Sequence, residues 1–357
     1  MMIFEQIHTP GIAQLSYLIG DDSTGMAAVI DPRPDVDCYL EMARKHAVGI
    51  THILETHIHA DFMSGSLELK AHLGSAKIYS SEEGGAKYEF DHEPIRDGQR
   101  FELGNVVLEA KFTPGHTPEH MSYLAHEKKR LGSPFGVFSG DALFVDSVGR
   151  PDLLGDDATR KLAEALYDTT FRFYGELDDG VELYPGHGAG SSCGPEIGDR
   201  KTSTMGYEKR HNKFLKPTDK EAFIKEVLES APPVPRYYPE MKKVNARGPE
   251  TFGSLPPVPA LPVAGFKKAL EDKRNVLLDT RNFLGFGGGH IPGALNIGNR
   301  AELSPWAGWM LKFDDPILLV LDKDEHLNEI VRLLWRVGYT RFAGYLVGSM
   351  KAWNNSS

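Results

Sequence analysis

The sequence predicts a two-domain α/β protein, and three observations carry that reading. At 357 residues the chain exceeds one average domain. Short apolar, β-branched runs alternate with stretches of helical periodicity. A proline-rich interval then breaks the pattern, which restarts beyond it. The expected division is a first domain over 1–230, a semi-rigid extended linker over 231–262 and a smaller α/β unit over 263–357.

In the first domain, residues 3–7, 14–19 and 26–30 read as strands, the last running into Asp31-Pro32, and a helix is expected over 35–46. A strand at 51–54 precedes Thr56-His57-Ile58-His59-Ala60-Asp61-Phe62-Met63-Ser64, and Ser64 is the expected N-cap of a helix reaching Leu73. Strands follow at 77–79, 101–103 and 106–112, then at 121–125, 136–139 and 181–184, with helices over 158–173, 200–212 and 218–229. Proline runs at 231–235 and 255–259 mark the linker. Beyond it come a helix at 263–272, strands at 276–279, 295–297 and 316–321, and helices at 325–337 and 347–353.

Forty basic residues against 50 acidic ones give a net charge of −10, which disfavours nucleic acid or an anionic membrane as partner. With only Cys38 and Cys193 there is no disulfide framework. The N-terminus lacks a basic region followed by an apolar core, and no apolar run approaches spanning length. The expectation is a soluble, cytoplasmic protein.

Chemistry concentrates at strand ends. His57, His59 and Asp61 follow the strand at 51–54, and His116 lies in Thr113-Pro114-Gly115-His116-Thr117-Pro118-Glu119-His120. Asp141 ends Ser139-Gly140-Asp141, and His187 ends Tyr184-Pro185-Gly186-His187. Imidazole and carboxylate together suit a transition metal, and four strand ends delivering them fit a site built at strand termini.

This order of motifs resembles the metallo-β-lactamase superfamily. The resemblance implies an αβ/βα sandwich with metal at the top of two sheets. Its dinuclear hydrolases carry a further histidine where this chain has Phe62, so a second site would keep only Asp61, His187 and a shared Asp141. A closer resemblance is to the persulfide dioxygenase branch, the ethylmalonic-encephalopathy type. It rests on Gly140-Asp141-Ala142-Leu143-Phe144, Gly149-Arg150-Pro151-Asp152 and Tyr184 to Gly194. That branch implies one Fe(2+) per chain on His57, His116 and Asp141, with His59, Asp61 and His187 in support. The implied reaction takes a low-molecular-weight thiol persulfide and O2 to sulfite and free thiol. Arg150 and Asp152 carry over as a charged pair near the substrate, although a salt-bridged loop is an equal reading. Cys193 reads as an accessible substrate-pocket thiol rather than a small buried hydrophobe. His120 is not assigned to iron by the pattern.

In the second domain, Val276 to Arg281, Gly289 to Ala294 and Gly344 to Trp353 resemble rhodanese, with Asp279, Arg281 and His290 as loop-holding polar residues. The strand ending at Leu321 runs into Asp322-Lys323-Asp324, and no cysteine follows Cys193. Sulfur transfer without a thiolate is therefore not expected. The glycine run at 285–289 reads as a flexible insertion. The roles left for this domain are buttressing the enzyme, shaping the way in for substrate, or forming contacts in a homo-oligomer. The alternative for the whole chain is a glyoxalase II-like dinuclear thioesterase, and a third class is a sulfur-sensing module.

Overall fold

The computed structural model describes residues 1–216 and 219–356. The first residue of the helix expected at 218–229 and the last of the second domain lie outside them.

Six strands form the first sheet in chain order: β1 (Met2–Thr9), β2 (Gln14–Asp21), β3 (Met26–Ile30), β4 (Gly49–Leu54), β5 (Lys77–Ser81) and β6 (Glu93–Ile95). The first three pair antiparallel, and from β3 onward the pairing is parallel. Parallel neighbours need crossovers, and helices α1 (Asp37–Lys45) and α2 (Ser66–Leu73) supply them. The second sheet comprises β7 (Arg100–Leu103), β8 (Val106–Phe112), β9 (Met121–Glu127) and β10 (Gly136–Gly140). After the small hairpin β11 (Leu143–Phe144) and β12 (Ser147–Val148), it is completed by β13 (Glu182–Pro185) and β14 (Ser203–Thr204), in the order β14-β13-β10-β9-β8-β7.

Alternation along the strands decides the layers. Leu15, Tyr17 and Ile19 of β2 meet Leu108, Tyr123, Phe138 and Tyr184 of the second sheet in the central core. The opposite face of the first sheet packs Leu18, Val29 and Ile53 on Tyr39, Ala43 and Leu69 of its helices. The outer face of the second sheet is covered by α3 (Asp156–Asp168), α4 (Met205–His211) and α5 (Lys220–Ser230) through Leu166, Met205 and Phe223. The result is the expected αβ/βα sandwich.

The interval expected as an extended linker contains a helix, α6 (Tyr238–Arg247). Pro239 falls in its first turn, where a missing N–H costs nothing, and Gly248 ends it at φ +94°. Ser64 is not the N-cap of α2: Gly65 occupies that position, and the Ser64 hydroxyl donates to Glu55 instead.

The second domain begins with β15 (Ala260–Leu261) and α7 (Val263–Ala269), followed by β16 (Val276–Asp279), α8 (Phe283–Gly288) and β17 (Leu295–Asn296). It continues through α9 (Leu303–Met310), β18 (Ile317–Val320), α10 (Leu327–Arg336), β19 (Phe342–Leu346) and α11 (Ser349–Asn354). Its five strands are all parallel, in the order β15-β19-β18-β16-β17. The glycine run is helical rather than a flexible insertion. Asn282 caps α8 by accepting from Gly285 N–H, and the Arg281 guanidinium donates to the carbonyls of Gly285 and Gly289.

The two domains and α6 share one core, in which Ile12, Phe62 and Met63 meet Tyr237, Tyr238, Met241, Leu303, Ala307 and Trp335. Gly308 of α9 lies so close to Tyr237 that an added Cβ would sit 2.4 Å from its ring. Arg336 of α10 pairs with the buried Asp35 through two hydrogen bonds, of 3.0 and 2.6 Å.

Candidate metal centre

Loops after β4, β8, β10 and β13 converge at the C-terminal ends of their strands, bringing all six sequence-predicted His and Asp residues into one buried region. His57, His116 and Asp141 each offer a donor atom within 4.8 Å of the others. Nε2 of His57 and of His116 stand 3.7 and 3.5 Å from Oδ2 of Asp141.

The tautomers follow from the outer hydrogen bonds. Thr56 spends its hydroxyl proton on Asp31 at 2.8 Å, so it can only accept from Nδ1–H of His57, also at 2.8 Å. His116 donates Nδ1–H to the main-chain oxygen of Arg150 at 2.9 Å. Both rings therefore turn an Nε2 lone pair toward Asp141. Burial, reinforced by neighbouring imidazoles, holds both histidines well below the ordinary imidazole pKa, so they are neutral. Nε2 of His57 and Oδ2 of Asp141 are buried without a hydrogen-bond partner. Two neutral imidazole lone pairs and an orphaned carboxylate oxygen, all facing one point, fit a divalent cation.

His120, left open by the sequence, orients this group. Its Nε2 accepts from Asp141 N–H at 3.0 Å and its Nδ1 bonds Thr113. Burial lowers its pKa to about 3, keeping it neutral and able to accept. The chain reverses here through Gly140 at φ +50°, where a Cβ would lie 2.6 Å from His120 Nε2.

The other three residues are held in carboxylate networks. Burial alone would lower the His187 pKa, but Asp141 and Asp61, each at 2.7 Å, raise it to about 10. Both of its nitrogens then donate, leaving no lone pair for a metal. His59 Nε2 lies 3.2 Å from Asp31 and 3.1 Å from Glu55, and these carboxylates outweigh burial and raise its pKa well above normal. Phe62 is fully buried, its ring 4.3 Å from that of His59 and 6.4 Å from that of His187.

One expectation about the surroundings needs revision. Cys193 is buried, not accessible: its Sγ lies 3.8 Å from the hydroxyl of Tyr238 on α6. Burial, with Asp61 and Asp141 nearby, pushes its thiol pKa well up, so it is not a ready thiolate. Arg150 has the salt-bridged arrangement, bound to Asp152 through two 2.7 Å hydrogen bonds and to the Ser192 carbonyl at 3.2 Å.

The loop from His59 to Ser64 is fixed from outside its own domain. Asn245 of α6 donates to the carbonyls of His59 and Phe62 and accepts from Ser64 N–H. Met63 N–H donates to the carbonyl of Arg336 in the second domain. The sequence reading missed these residues. Asn245 between two proline runs was the one local signal, and nothing nearby says what it faces.

The family described as the metallo-beta-lactamase superfamily matches residues 9–187, about half the chain. The chain belongs to the metallo-beta-lactamase superfamily. A rhodanese-like domain matches 263–356 and forms its C-terminal part. A solved structure titled as a metallo-beta-lactamase from Staphylococcus aureus subsp. aureus COL is 33% identical, with a TM-score of 0.85 over 97% of this chain and 98% of that one. The cytoplasmic hydroxyacylglutathione hydrolase of Arabidopsis thaliana is 33% identical over 48% of this chain, a stretch spanning 62% of its own length. The mitochondrial persulfide dioxygenase ETHE1 of Bos taurus is 28% identical over 52% of this chain and 68% of its own. These relatives support a metal-dependent enzyme, and they divide between hydrolysis and sulfur oxidation. Among the described residues no helix is long and apolar enough to cross a membrane.

Proposed function

We propose that the chain is a mononuclear Fe(II) persulfide dioxygenase, with His57, His116 and Asp141 as the metal ligands. The reaction is RSSH + O2 + H2O → RSH + SO3²⁻ + 2H⁺, in which the sulfane sulfur is oxidised and dioxygen reduced. The observation that carries this reading is Phe62. It fills the space between His59 and His187 with an apolar ring, while the two carboxylates on His187 occupy both its nitrogens.

Iron on a two-histidine, one-carboxylate face supplies open positions for sulfur and dioxygen together. The protein's own part is orientation. Thr56 and the Arg150 carbonyl fix the imidazole tautomers, His120 holds the main-chain N–H of Asp141, and His187 holds Oδ1 of its carboxylate. Arg150 acts here by holding the loop that carries Ser192 and Cys193.

A dinuclear thioesterase is the second reading, favoured by Asp61, His187 and Cys193, whose donor atoms also lie within 4.8 Å of one another. Anaerobic reconstitution with Fe(II), followed by oxygen uptake and sulfite release over a panel of persulfides, tests the choice. One iron per chain with persulfide-dependent oxygen uptake supports the dioxygenase. Two metals with thioester hydrolysis and no oxygen uptake would overturn it.

A further inference from the structure

Helix α6 brings a cation to this centre. Tyr238, Met241 and Asn245 are its buried face. Residue 242 lies four after Tyr238 and three before Asn245, so Lys242 starts from the same stripe. Tyr238 reaches Cys193, and Asn245 reaches the His59–Ser64 loop, so Lys242 stands between two residues whose side chains reach the surroundings of the metal residues. Lys242 is half-buried, and among the described residues its ammonium has neither a hydrogen bond nor an ion pair. Burial lowers its pKa while Glu119 and Cys193 raise it, and its charge in turn lowers the pKa of His57 and His116. The next residue behaves differently: Lys243 is exposed and paired with Glu240 at 2.8 Å.

An unpaired, partly desolvated ammonium is costly, and such costs are retained where a ligand cancels them. Around the centre stand the buried carboxylates of Asp31, Glu55, Asp61, Glu119 and Asp141, and the two cationic imidazoles among them, His59 and His187, are each already held between two of these carboxylates. An anion approaching these carboxylates meets repulsion unless a cation intervenes.

We propose that Lys242 receives the anionic sulfur group of the substrate, and of the sulfite product, over the His57–His116 face. Helix α6 is then the anion-selecting wall of the site. This rests on the persulfide reading for the substrate, and it requires only an anion at that face.

Sulfite is the probe, titrated anaerobically into the full-length Fe(II)-loaded chain and followed by calorimetry. Lys242→Met weakens sulfite binding about tenfold or more, the loss of one charge-assisted hydrogen bond. It raises KM for glutathione persulfide in parallel and changes kcat less. Lys242→Arg recovers part of the loss, and Lys243→Met binds sulfite as the unaltered chain does. Unchanged sulfite affinity in Lys242→Met at normal metal content overturns the proposal. If that variant fails to hold metal, the salt dependence of sulfite binding to the unaltered chain decides, and affinity indifferent to salt overturns it. Absence of oxygen uptake with every persulfide, while Lys242→Met still loses sulfite, would reject the dioxygenase and leave the anion site standing.

Discussion

The hydroxyl of Tyr237 donates to the main-chain oxygen of Asp61 at 2.7 Å across 176 residues of sequence. The same tyrosine ring lies against Gly308 of the second domain. One side chain therefore links the rhodanese-like domain to the loop bearing the histidines. What α9 does to Tyr237 is transmitted to the backbone beside Asp61.

Asn245→Ala strands two loop carbonyls and one N–H that Asn245 now satisfies. Leaving such groups unpaired costs about 2–4 kcal/mol in total. Urea unfolding should report that loss, and competition with a chelator should show weaker metal retention. A variant as stable as the parent would mean that the loop holds itself.

Thr56→Val removes the acceptor that fixes the His57 ring while keeping the side-chain volume. Losing a partner of this kind costs about 10–100-fold in metal affinity. Metal-buffer titration checks it, and unchanged affinity would show that another group sets the tautomer.

Phe62→His restores a donor between His59 and His187. If the proposed one-iron dioxygenase holds, metal analysis should rise from one ion per chain toward two, with oxygen uptake falling. A stoichiometry that stays at one would assign the limit to the carboxylates on His187 rather than to Phe62.

Arg281→Met leaves Asp279, fully buried, without its guanidinium partner at 2.6 Å. Breaking a buried pair from one side costs about 3–5 kcal/mol. Because the domains share a core, thermal unfolding should shift as a single transition. Two separated transitions would count against that coupling.

Asp21 supplies the pH dependence. It accepts hydrogen bonds from the N–H groups of Ser23 and Asn105, and the bonds from Ser23 foremost hold its carboxyl below the ordinary aspartate pKa. Its contribution to stability is therefore complete above about pH 4 and lost as pH falls through the depressed value. Asp21→Asn should flatten the acid limb of a stability-against-pH curve and leave the neutral region parallel to the parent. An unchanged acid limb would assign acid unfolding to other carboxylates.

The strands and their ends were legible because strand alternation and breaker-rich loops are local signals, and the sandwich followed from the family resemblance that the motifs at those ends carry. His57, His59, Asp61, His116, Asp141 and His187 stood out for the same reason, each following a readable strand, while the choice of His57, His116 and Asp141 among them came from the resemblance. Helix α6 was not legible: between proline runs its short sequence has no strong apolar stripe, and the surfaces that stabilise it lie far off in the chain. The burial of Cys193 went with it, since a Gly/Ser-rich loop looks open until Tyr238 covers it. His120 was ambiguous because its value lies in accepting one backbone N–H, which no spacing reveals.

The hydrogen bond from Met63 N–H to the carbonyl of Arg336 bears on how this gene can change. A fused module without a cysteine, as here after Cys193, has no thiol nucleophile to preserve it. Here deletion would uncap the loop that carries His59 and Asp61, so purifying selection on the metal-binding half also guards the rhodanese-like half. The last turn of α10 is thereby tied to the metal-site loop through one carbonyl, independently of any chemistry in its own domain.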